Sequence, residues 1–203
     1  MENTSDHANI THVIFDVDGT ILDTESLYTK AKKKVDGKNS LKDKRTALFC
    51  FQVVAKYGAR ERFTNDLESK TAGKQAFDVA EIITEECQLP LTPDEFVAEM
   101  DTMLTPILPT AQLKPGAERL IHHLADHNVP VCIATSSRKR TGKMKMSGHS
   151  DLFNLFSHKV FGSDDPEVGR GKPNPDIFLV AAKRFEDPPN PGIYHIIETF
   201  GQS

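Results

Sequence analysis

The sequence predicts an α/β protein, in which a Rossmann-like parallel sheet carries helices on both faces and a helical region is inserted into it. Short β-rich or apolar runs alternate with helical patterns, and a polar cluster or loop follows most of these runs. The strand candidates are residues 12–15, 129–134, 158–161 and 193–197. Strands that alternate with helices are typical of a parallel sheet, and such sheets bind ligands at the carboxyl ends of their strands.

The composition is that of an ordinary globular protein. The chain has 203 residues, of which 38% are hydrophobic and 27% charged, with a net charge of −4. This balance argues against a disordered chain and against a nucleic-acid-binding protein. No apolar run reaches the roughly 20 residues that a membrane span needs, and the polar residues 1–10 do not resemble a signal peptide. The three scattered cysteines fit a reducing compartment such as the cytoplasm. We also expect a monomer without a nucleic-acid or membrane partner.

Residues 24–108 have a helical pattern throughout. Phe77, Ala80, Ile83 and Cys87 recur at three- and four-residue steps, which predicts a helix with one apolar face. The segment from Thr92 to Glu95 has the features of a helix start, with proline in the first helical position. We therefore predict a separate helical module between the first strand and the rest of the sheet.

Asp16 and Asp18 are separated by one residue, in a loop that follows the first strand and turns sharply at Gly19. Two carboxylates this close repel each other unless a cation or a shared proton relieves the repulsion. A hard divalent ion such as Mg²⁺ prefers oxygen ligands and would resolve the conflict. One carboxylate could then attack phosphorus while the other transfers protons, although a solvated acidic turn would show the same pattern.

Two further polar groups follow later strand candidates. Thr135, Ser136 and Ser137 offer hydroxyl and backbone N–H groups that could hold phosphate oxygens or simply cap a helix. Lys172 lies in a loop stiffened by two prolines, where its ammonium could neutralise charge on a transferring phosphoryl group. A solvated loop lysine is the commoner role for such a residue. Each signal is weak alone, but their order along the chain is specific.

Residues 13–20, with the sequence VIFDVDGT, resemble the first motif of the haloacid dehalogenase superfamily. Thr135 is similar to its second motif and Lys172 to its third. The stretches 113–137 and 156–185, especially GSDDPEVGRGKPNPDIF, resemble the pseudouridine-5′-phosphatases of animals. The resemblance implies a core formed by residues 1–23 and 109–203, with residues 24–108 as a helical cap.

The resemblance also implies a role for each matched residue. The catalytic residues would be Asp16 as nucleophile, Asp18 as general acid/base, Thr135 and Lys172. The substrate-binding residues would be Gly19, Ser136, Ser137 and, in the cap, Lys74. Mg²⁺ would be held by Asp16, by Asp18 through its main-chain carbonyl, and by Glu198. The substrate would be a small phosphorylated metabolite.

The chain departs from the family pattern in three places. Ala72 stands where we expect methionine, beside Gly73 and Lys74. Residues 35–52 interrupt a cap helix that would otherwise be continuous, and we interpret them as an insertion, with a translated small intron as the leading hypothesis and a genuine loop as the alternative. Glu198 falls at the first acidic position of a fourth motif, but Thr199 replaces the second, and the core is expected to be incomplete at its C-terminal end.

The function predicted is hydrolysis of a phosphate monoester, with pseudouridine 5′-phosphate as the substrate that the resemblance implies. A sugar-phosphate mutase of the β-phosphoglucomutase type would use the same first three motifs. A catalytically impaired isoform is the remaining alternative, because the last acidic motif is incomplete.

Overall fold

The computed structural model describes residues 10–27, 46–71, 74, 76–190 and 193–198. The chain divides into two compact units, one formed by residues 1–24 and 111–203 and the other by residues 25–110. We call them the core unit and the helical unit. Their boundaries lie within two residues of the limits that the sequence suggests for a core and a cap.

The described elements follow the alternation read from the sequence. In the helical unit they are α1 (Thr46–Lys56), α2 (Asn65–Thr71), α3 (Ala76–Glu86) and α4 (Pro93–Leu104), with 3₁₀ turns at Arg60–Arg62 and Leu108–Thr110. In the core unit they are β1 (His12–Phe15), α5 (Ala117–Asp126), β2 (Val131–Thr135), α6 (Lys139–Ser147), α7 (Ser150–Phe153), β3 (Lys159–Phe161), α8 (Asp176–Lys183) and β4 (Tyr194–Ile197).

The four described strands form one sheet in the order β3-β2-β1-β4, and every pairing is parallel. In the register, Phe15 of β1 is level with Ile133 of β2 and with Ile197 of β4. The carboxyl ends of all the strands therefore lie at one edge of the sheet. The predicted α/β fold with a parallel sheet is confirmed.

The central strands form because their side chains are apolar in almost every position. All residues of β1 and β2 are buried, as expected of strands covered on both faces. On one face, Ile14, Cys132 and Val160 pack with the apolar side of α8. Close to β1, the rings of Phe15 and Phe156 meet edge to face, and Phe156 stacks on Phe153 of α7. Aromatic side chains thus pack beside the carboxyl end of β1.

The helical unit is built on amphipathic helices. The buried face of α3 carries Val79, Ala80 and Ile83, and Cys87 continues this face one residue past the helix end, in agreement with the predicted apolar face. Phe77, which the prediction placed on this face, is 41% exposed, so that part of the prediction is wrong. At about 100° per residue, Phe77 lies roughly a quarter of a turn away from the centre of the face set by the other four.

The start of α4 matches its sequence signature. The Thr92 hydroxyl oxygen accepts a hydrogen bond from the Glu95 backbone N–H at 3.3 Å, and the Glu95 carboxylate accepts from the Thr92 N–H at 2.8 Å. Pro93 occupies the first turn, where a missing N–H costs nothing. This reciprocal capping satisfies donors that would otherwise remain unpaired at the helix end.

The segment interpreted as an insertion is only partly described. Residues 35–45 lie outside the described part of the chain, whereas residues 46–52 form the first part of α1. Phe49 and Cys50 are buried, and the Cys50 thiol lies 3.8 Å from the Met100 sulfur of α4. These residues thus contribute to the apolar interior of the helical unit.

Two further features concern membrane-spanning helices and the cysteine residues. No helix in the described ranges is both long and apolar enough to cross a membrane. Cys50, Cys87 and Cys132 are free and buried, and Cys132 lies in the sheet core as a small apolar residue. Burial raises the pKa of the Cys50 thiol to about 12, so this thiol stays protonated and unreactive at neutral pH.

We predict that Gly142→Ala destabilises the core unit. A β-carbon at Gly142 would lie 2.6 Å from the Phe161 ring, so the tight packing of α6 against the end of β3 requires glycine. The clash should outweigh the helix-propensity gain of alanine and lower the free energy of unfolding by about 1–3 kcal/mol, measured by chemical denaturation. Gly171→Ala is the matched control, because a β-carbon there meets nothing within 4 Å. Equal stability of the two variants would contradict the packing account.

Candidate active site

Asp16 and Glu198 come together because their strands are neighbours. Each residue directly follows its strand, β1 for Asp16 and β4 for Glu198, and the register brings both to the same level. The Asp16 backbone N–H donates to the Ile197 carbonyl at 3.0 Å, which continues the parallel pairing past the end of β1. Two carboxylates therefore face one edge of the sheet.

Lys172 joins these two carboxylates. Its Nζ lies 3.1 Å from Asp16 Oδ2 and 3.1 Å from Glu198 Oε1. The side chains of Lys172, Asp16 and Glu198 are only 15%, 12% and 18% exposed. The ammonium also lies 4.8 Å from the centre of the Phe178 ring, a cation–π contact. One mostly buried cation is thus shared by two mostly buried anions.

The loop that carries Lys172 is anchored on both sides. The Asp176 carboxylate accepts hydrogen bonds from the Arg170 backbone N–H at 3.0 Å and from its guanidinium at 2.9 and 3.2 Å. The Lys172–Pro173 peptide bond is cis. The clamp ties the loop to the first turn of α8, whose Phe178 contacts the ammonium, and so holds Lys172 over the strand ends.

The Asp16 carboxyl group has a shifted pKa. Burial raises the pKa above its ordinary value, and the charge of Lys172 together with the hydrogen bond from the Val17 N–H opposes this rise without cancelling it. A raised pKa marks a carboxylate that is poorly solvated, which makes it more nucleophilic than one in water. This is a suitable environment for a residue that attacks phosphorus.

Asp18 belongs to a second cluster beside the first. Its Oδ1 accepts from Lys145 Nζ at 2.8 Å, and its Oδ2 accepts from the Ser137 hydroxyl at 3.0 Å. Lys145 Nζ also donates to the Ser137 hydroxyl oxygen at 2.9 Å. Burial alone would raise the pKa of Asp18, but the charge and hydrogen bond of Lys145, with the hydrogen bond of Ser137, hold it below its ordinary value.

The loop between Asp16 and Leu22 folds back on itself. Gly19 has φ +79°, a left-handed conformation that glycine adopts without strain, and its N–H donates to the Leu22 carbonyl at 2.8 Å. The Ile21 and Leu22 backbone N–H groups both donate to the Val17 carbonyl at 3.0 Å. The sharp turn fixes where Asp18 and Gly19 lie beyond the strand end.

The hydroxyl residues after β2 have different environments. Thr135 is fully buried, and its hydroxyl oxygen accepts from the Ser137 N–H at 3.2 Å. Ser136 is exposed, and its carbonyl accepts from the Ser163 hydroxyl at 2.7 Å. Ser137 is half-buried and contacts Asp18 directly. The segment after β2 therefore contacts Asp18 through Ser137.

Lys74, the substrate-binding residue predicted in the cap, belongs to the helical unit. It is exposed, and its backbone N–H donates to the Thr71 carbonyl at 3.2 Å. Ala72 and Gly73 lie outside the described residues, as does Thr199. The role of Lys74 stays a prediction.

The three predicted metal ligands are paired with lysines. Asp16 and Glu198 contact Lys172, and Asp18 contacts Lys145. Within the described ranges no group of three His, Cys, Asp or Glu side chains is arranged to hold a metal ion. These three carboxylates and two lysines together still carry one excess negative charge. Carboxylate and carbonyl oxygens are also the ligands that Mg²⁺ prefers. The chemistry of the donor set therefore fits Mg²⁺.

Sequence reasoning missed Lys145. It lies in a basic stretch of α6 that also contains Lys139, Arg140 and Lys143, a pattern typical of a solvated helix face. The available signal is spacing: Lys145 follows Gly142 by three residues and precedes the apolar Met146, and all three are buried on one side of α6. A glycine packed in a helix interior could have indicated that this face points inward.

Comparison with known proteins identifies the family. Residues 10–193 match the family model of the haloacid dehalogenase-like hydrolases. The chain therefore belongs to this family, and together with its phosphatase relatives this makes it an enzyme, a phosphoric monoester hydrolase.

Two curated relatives are each 40% identical to the chain. One is (DL)-glycerol-3-phosphatase 2 of Arabidopsis thaliana, aligned over 92% of this chain and 70% of the relative. The other is named as a probable pseudouridine-5′-phosphatase of Drosophila melanogaster, aligned over 90% of this chain and 70% of the relative. The family resemblance read from the motifs is thus confirmed.

Solved structures show the same fold at lower identity. CbbY of Rhodobacter sphaeroides, in complex with phosphate, is 18% identical with a TM-score of 0.55, covering 86% of this chain and 72% of its own. The HAD-family protein YfnB of Bacillus subtilis, solved with magnesium bound, is 20% identical with a TM-score of 0.55, covering 89% and 76%.

We predict that Lys172→Met strongly destabilises the core unit at neutral pH. Removing the ammonium leaves Asp16 and Glu198 as neighbouring, mostly buried carboxylates without a cation, which should cost about 3 kcal/mol of unfolding free energy in chemical denaturation. The loss should shrink as the pH is lowered, because protonation removes the repulsion.

The matched control for this prediction is Lys183→Met. The Lys183 side chain is 77% exposed and lies 3.5 Å from Glu167, so its loss should change stability by less than about 0.5 kcal/mol. Adding Glu198→Gln to Lys172→Met should restore part of the lost stability. A Lys172→Met protein as stable as the wild type would show that the ion pairs with Asp16 and Glu198 do not stabilise the core unit.

Proposed function

We propose that this chain hydrolyses a small phosphate monoester through an aspartyl-phosphate formed on Asp16, with Mg²⁺ as the metal. The observation that carries the proposal is the meeting of Asp16, Lys172 and Glu198 at the carboxyl edge of the sheet. Asp18, Thr135 and Ser137 lie at the same edge, after β1 and β2. A nucleophile, a fixed cation and hydroxyl donors are what phosphoryl transfer requires.

In this proposal Asp16 attacks the phosphorus atom and the bond to the leaving oxygen breaks. The negative charge of the bound phosphate favours the protonated form of Asp18. Asp18 then gives this proton to the leaving oxygen and later takes one from the water that releases phosphate from Asp16. Lys172 neutralises charge on the phosphoryl group. Thr135, Ser136, Ser137 and the backbone at Gly19 hold the phosphoryl oxygens.

Mg²⁺ would be held by the Asp16 carboxylate, the Asp18 main-chain carbonyl and the Glu198 carboxylate. When bound, it would add positive charge where the phosphoryl oxygens gather. The excess of one negative charge among the five clustered side chains supports this assignment. The magnesium that YfnB binds supports it only through the shared fold.

The leaving group would be recognised by the helical unit, with Lys74 among the residues that contact it. Pseudouridine 5′-phosphate is the substrate that we propose, supported by the name of the Drosophila relative. A glycerol phosphate is the second candidate, because the Arabidopsis relative is equally similar. We further propose a monomer that acts in the cytoplasm.

Two alternatives use the same residues. The first is a sugar-phosphate mutase, because the β-phosphoglucomutase of Bacillus subtilis is 26% identical over 87% of this chain. A catalytically impaired isoform is favoured by Thr199 in place of the second acidic residue of the fourth motif.

The decisive experiment measures phosphate release from pseudouridine 5′-phosphate, glycerol 3-phosphate and p-nitrophenyl phosphate by the purified chain. We expect Mg²⁺-dependent release that EDTA abolishes. Asp16→Asn should lower kcat by at least about a thousandfold, because the amide is not a nucleophile. The control is Asp151→Asn, an exposed aspartate on α7, which should leave the rate unchanged.

Each other outcome identifies an alternative. A folded, soluble protein that hydrolyses none of the three compounds would favour the impaired isoform. Conversion of a sugar phosphate without free phosphate would favour the mutase. Full activity of Asp16→Asn would overturn the aspartyl-phosphate route.

A further inference from the structure

Lys145 is a buried cation outside the set of residues assigned to the reaction. Its side chain is only 9% exposed, and its Nζ lies 2.8 Å from Asp18 Oδ1 and 2.9 Å from the Ser137 hydroxyl oxygen. An ammonium is strongly hydrated, so its burial is unfavourable unless the site provides charge and hydrogen bonds in return. Here both are provided by residues proposed to act on the substrate.

The backbone of α6 fixes where this ammonium lies. Gly142 and Met146 are buried on the same side of the helix as Lys145, and Gly142 packs so closely against Phe161 that a β-carbon would not fit. The position of Lys145 is therefore set by packing against the end of β3. The packing of α6 therefore holds the Lys145 ammonium at a fixed place beside Asp18.

The partner is the Asp18 side chain, and both of its oxygens are occupied. Lys145 donates to Oδ1 and the Ser137 hydroxyl donates to Oδ2, while Lys145 and Ser137 also bond to each other. This closed triangle leaves the carboxylate one orientation in which all three hydrogen bonds form. Without the lysine, the side chain would keep the Ser137 contact and the weaker contribution of the Thr24 hydroxyl, but would lose its charged partner.

We propose that Lys145 is a positioning residue that sets the orientation of the Asp18 carboxyl group for proton transfer to the leaving oxygen. The inference rests on the proposed function, in which Asp18 is the general acid/base. Lys172 contacts Asp16 and Glu198 and is not part of the triangle. The two lysines therefore have different roles: Lys172 contacts the nucleophile, and Lys145 contacts the general acid/base.

The test compares kcat/KM for two leaving groups, because only one of them needs a proton. An alkyl phosphate releases an alkoxide that must be protonated, whereas p-nitrophenyl phosphate releases a stable anion. Lys145→Met should lower kcat/KM on the order of 10- to 100-fold for the alkyl phosphate that the wild type hydrolyses fastest. For p-nitrophenyl phosphate the loss should stay within about threefold, since this step depends little on Asp18.

Two controls separate positioning from a general structural role. Lys143→Met removes an exposed lysine from the same helix and should leave both rates unchanged. In an Asp18→Asn background, adding Lys145→Met should change neither rate by more than about twofold, because the group that Lys145 positions is already absent.

Every outcome decides something. Equal losses for both leaving groups, or a further loss in the Asp18→Asn background, would overturn the inference while leaving the proposed function intact. A wild type that hydrolyses neither compound would overturn both. If Lys145→Met does not fold, Lys145→Gln keeps a donor for the buried oxygens, and its losses should show the same leaving-group dependence or the inference fails.

Discussion

The candidate site depends on the balance of buried charge at the ends of the strands. Parallel pairing brings the residues after β1 and β4 to one level, so Asp16 and Glu198 become neighbours whether or not their charges allow it. Lys172 makes this arrangement stable by contacting both carboxylates. Lys172 lies in a loop clamped by Arg170 and Asp176, which holds its charge in place. The rest of the site is arranged around this fixed centre.

The parts of the molecule that sequence reasoning predicted are those set by local rules. Continuous apolar runs such as β2 indicated buried parallel strands, and the capping residues before α4 marked a helix start. Asp16 and Lys172 could be singled out as candidates because each lies in a motif with characteristic neighbouring residues. Their meeting followed from a general property of parallel sheets, namely that the carboxyl ends of the strands share one edge.

The parts that were missed depend on how helices rotate against the layers beside them. Lys143 and Lys145 are two positions apart in the same helix, and the sequence alone does not indicate which of them is buried. In the structure Lys145 is buried and Lys143 is exposed. Which of them turns inward is decided by the contact between Gly142 and Phe161, two residues that are distant in sequence. Phe77 was misplaced for a similar reason, since spacing alone left the centre of the buried face of α3 undetermined by a quarter of a turn.

The order of the strands has a consequence for how the chain folds. Val13 pairs with Val131, and His12 pairs with Tyr194, so β1 finds its partners only roughly 120 and 180 residues later. In the sequence, the helical unit is one continuous segment between β1 and these partners, with a compact interior of its own, so it can form while the partners of β1 are still being synthesised. Closing such long loops is slow, because the entropy is lost before the contacts form. Asp16 directly follows β1, so its native surroundings form only after these later strands have been made.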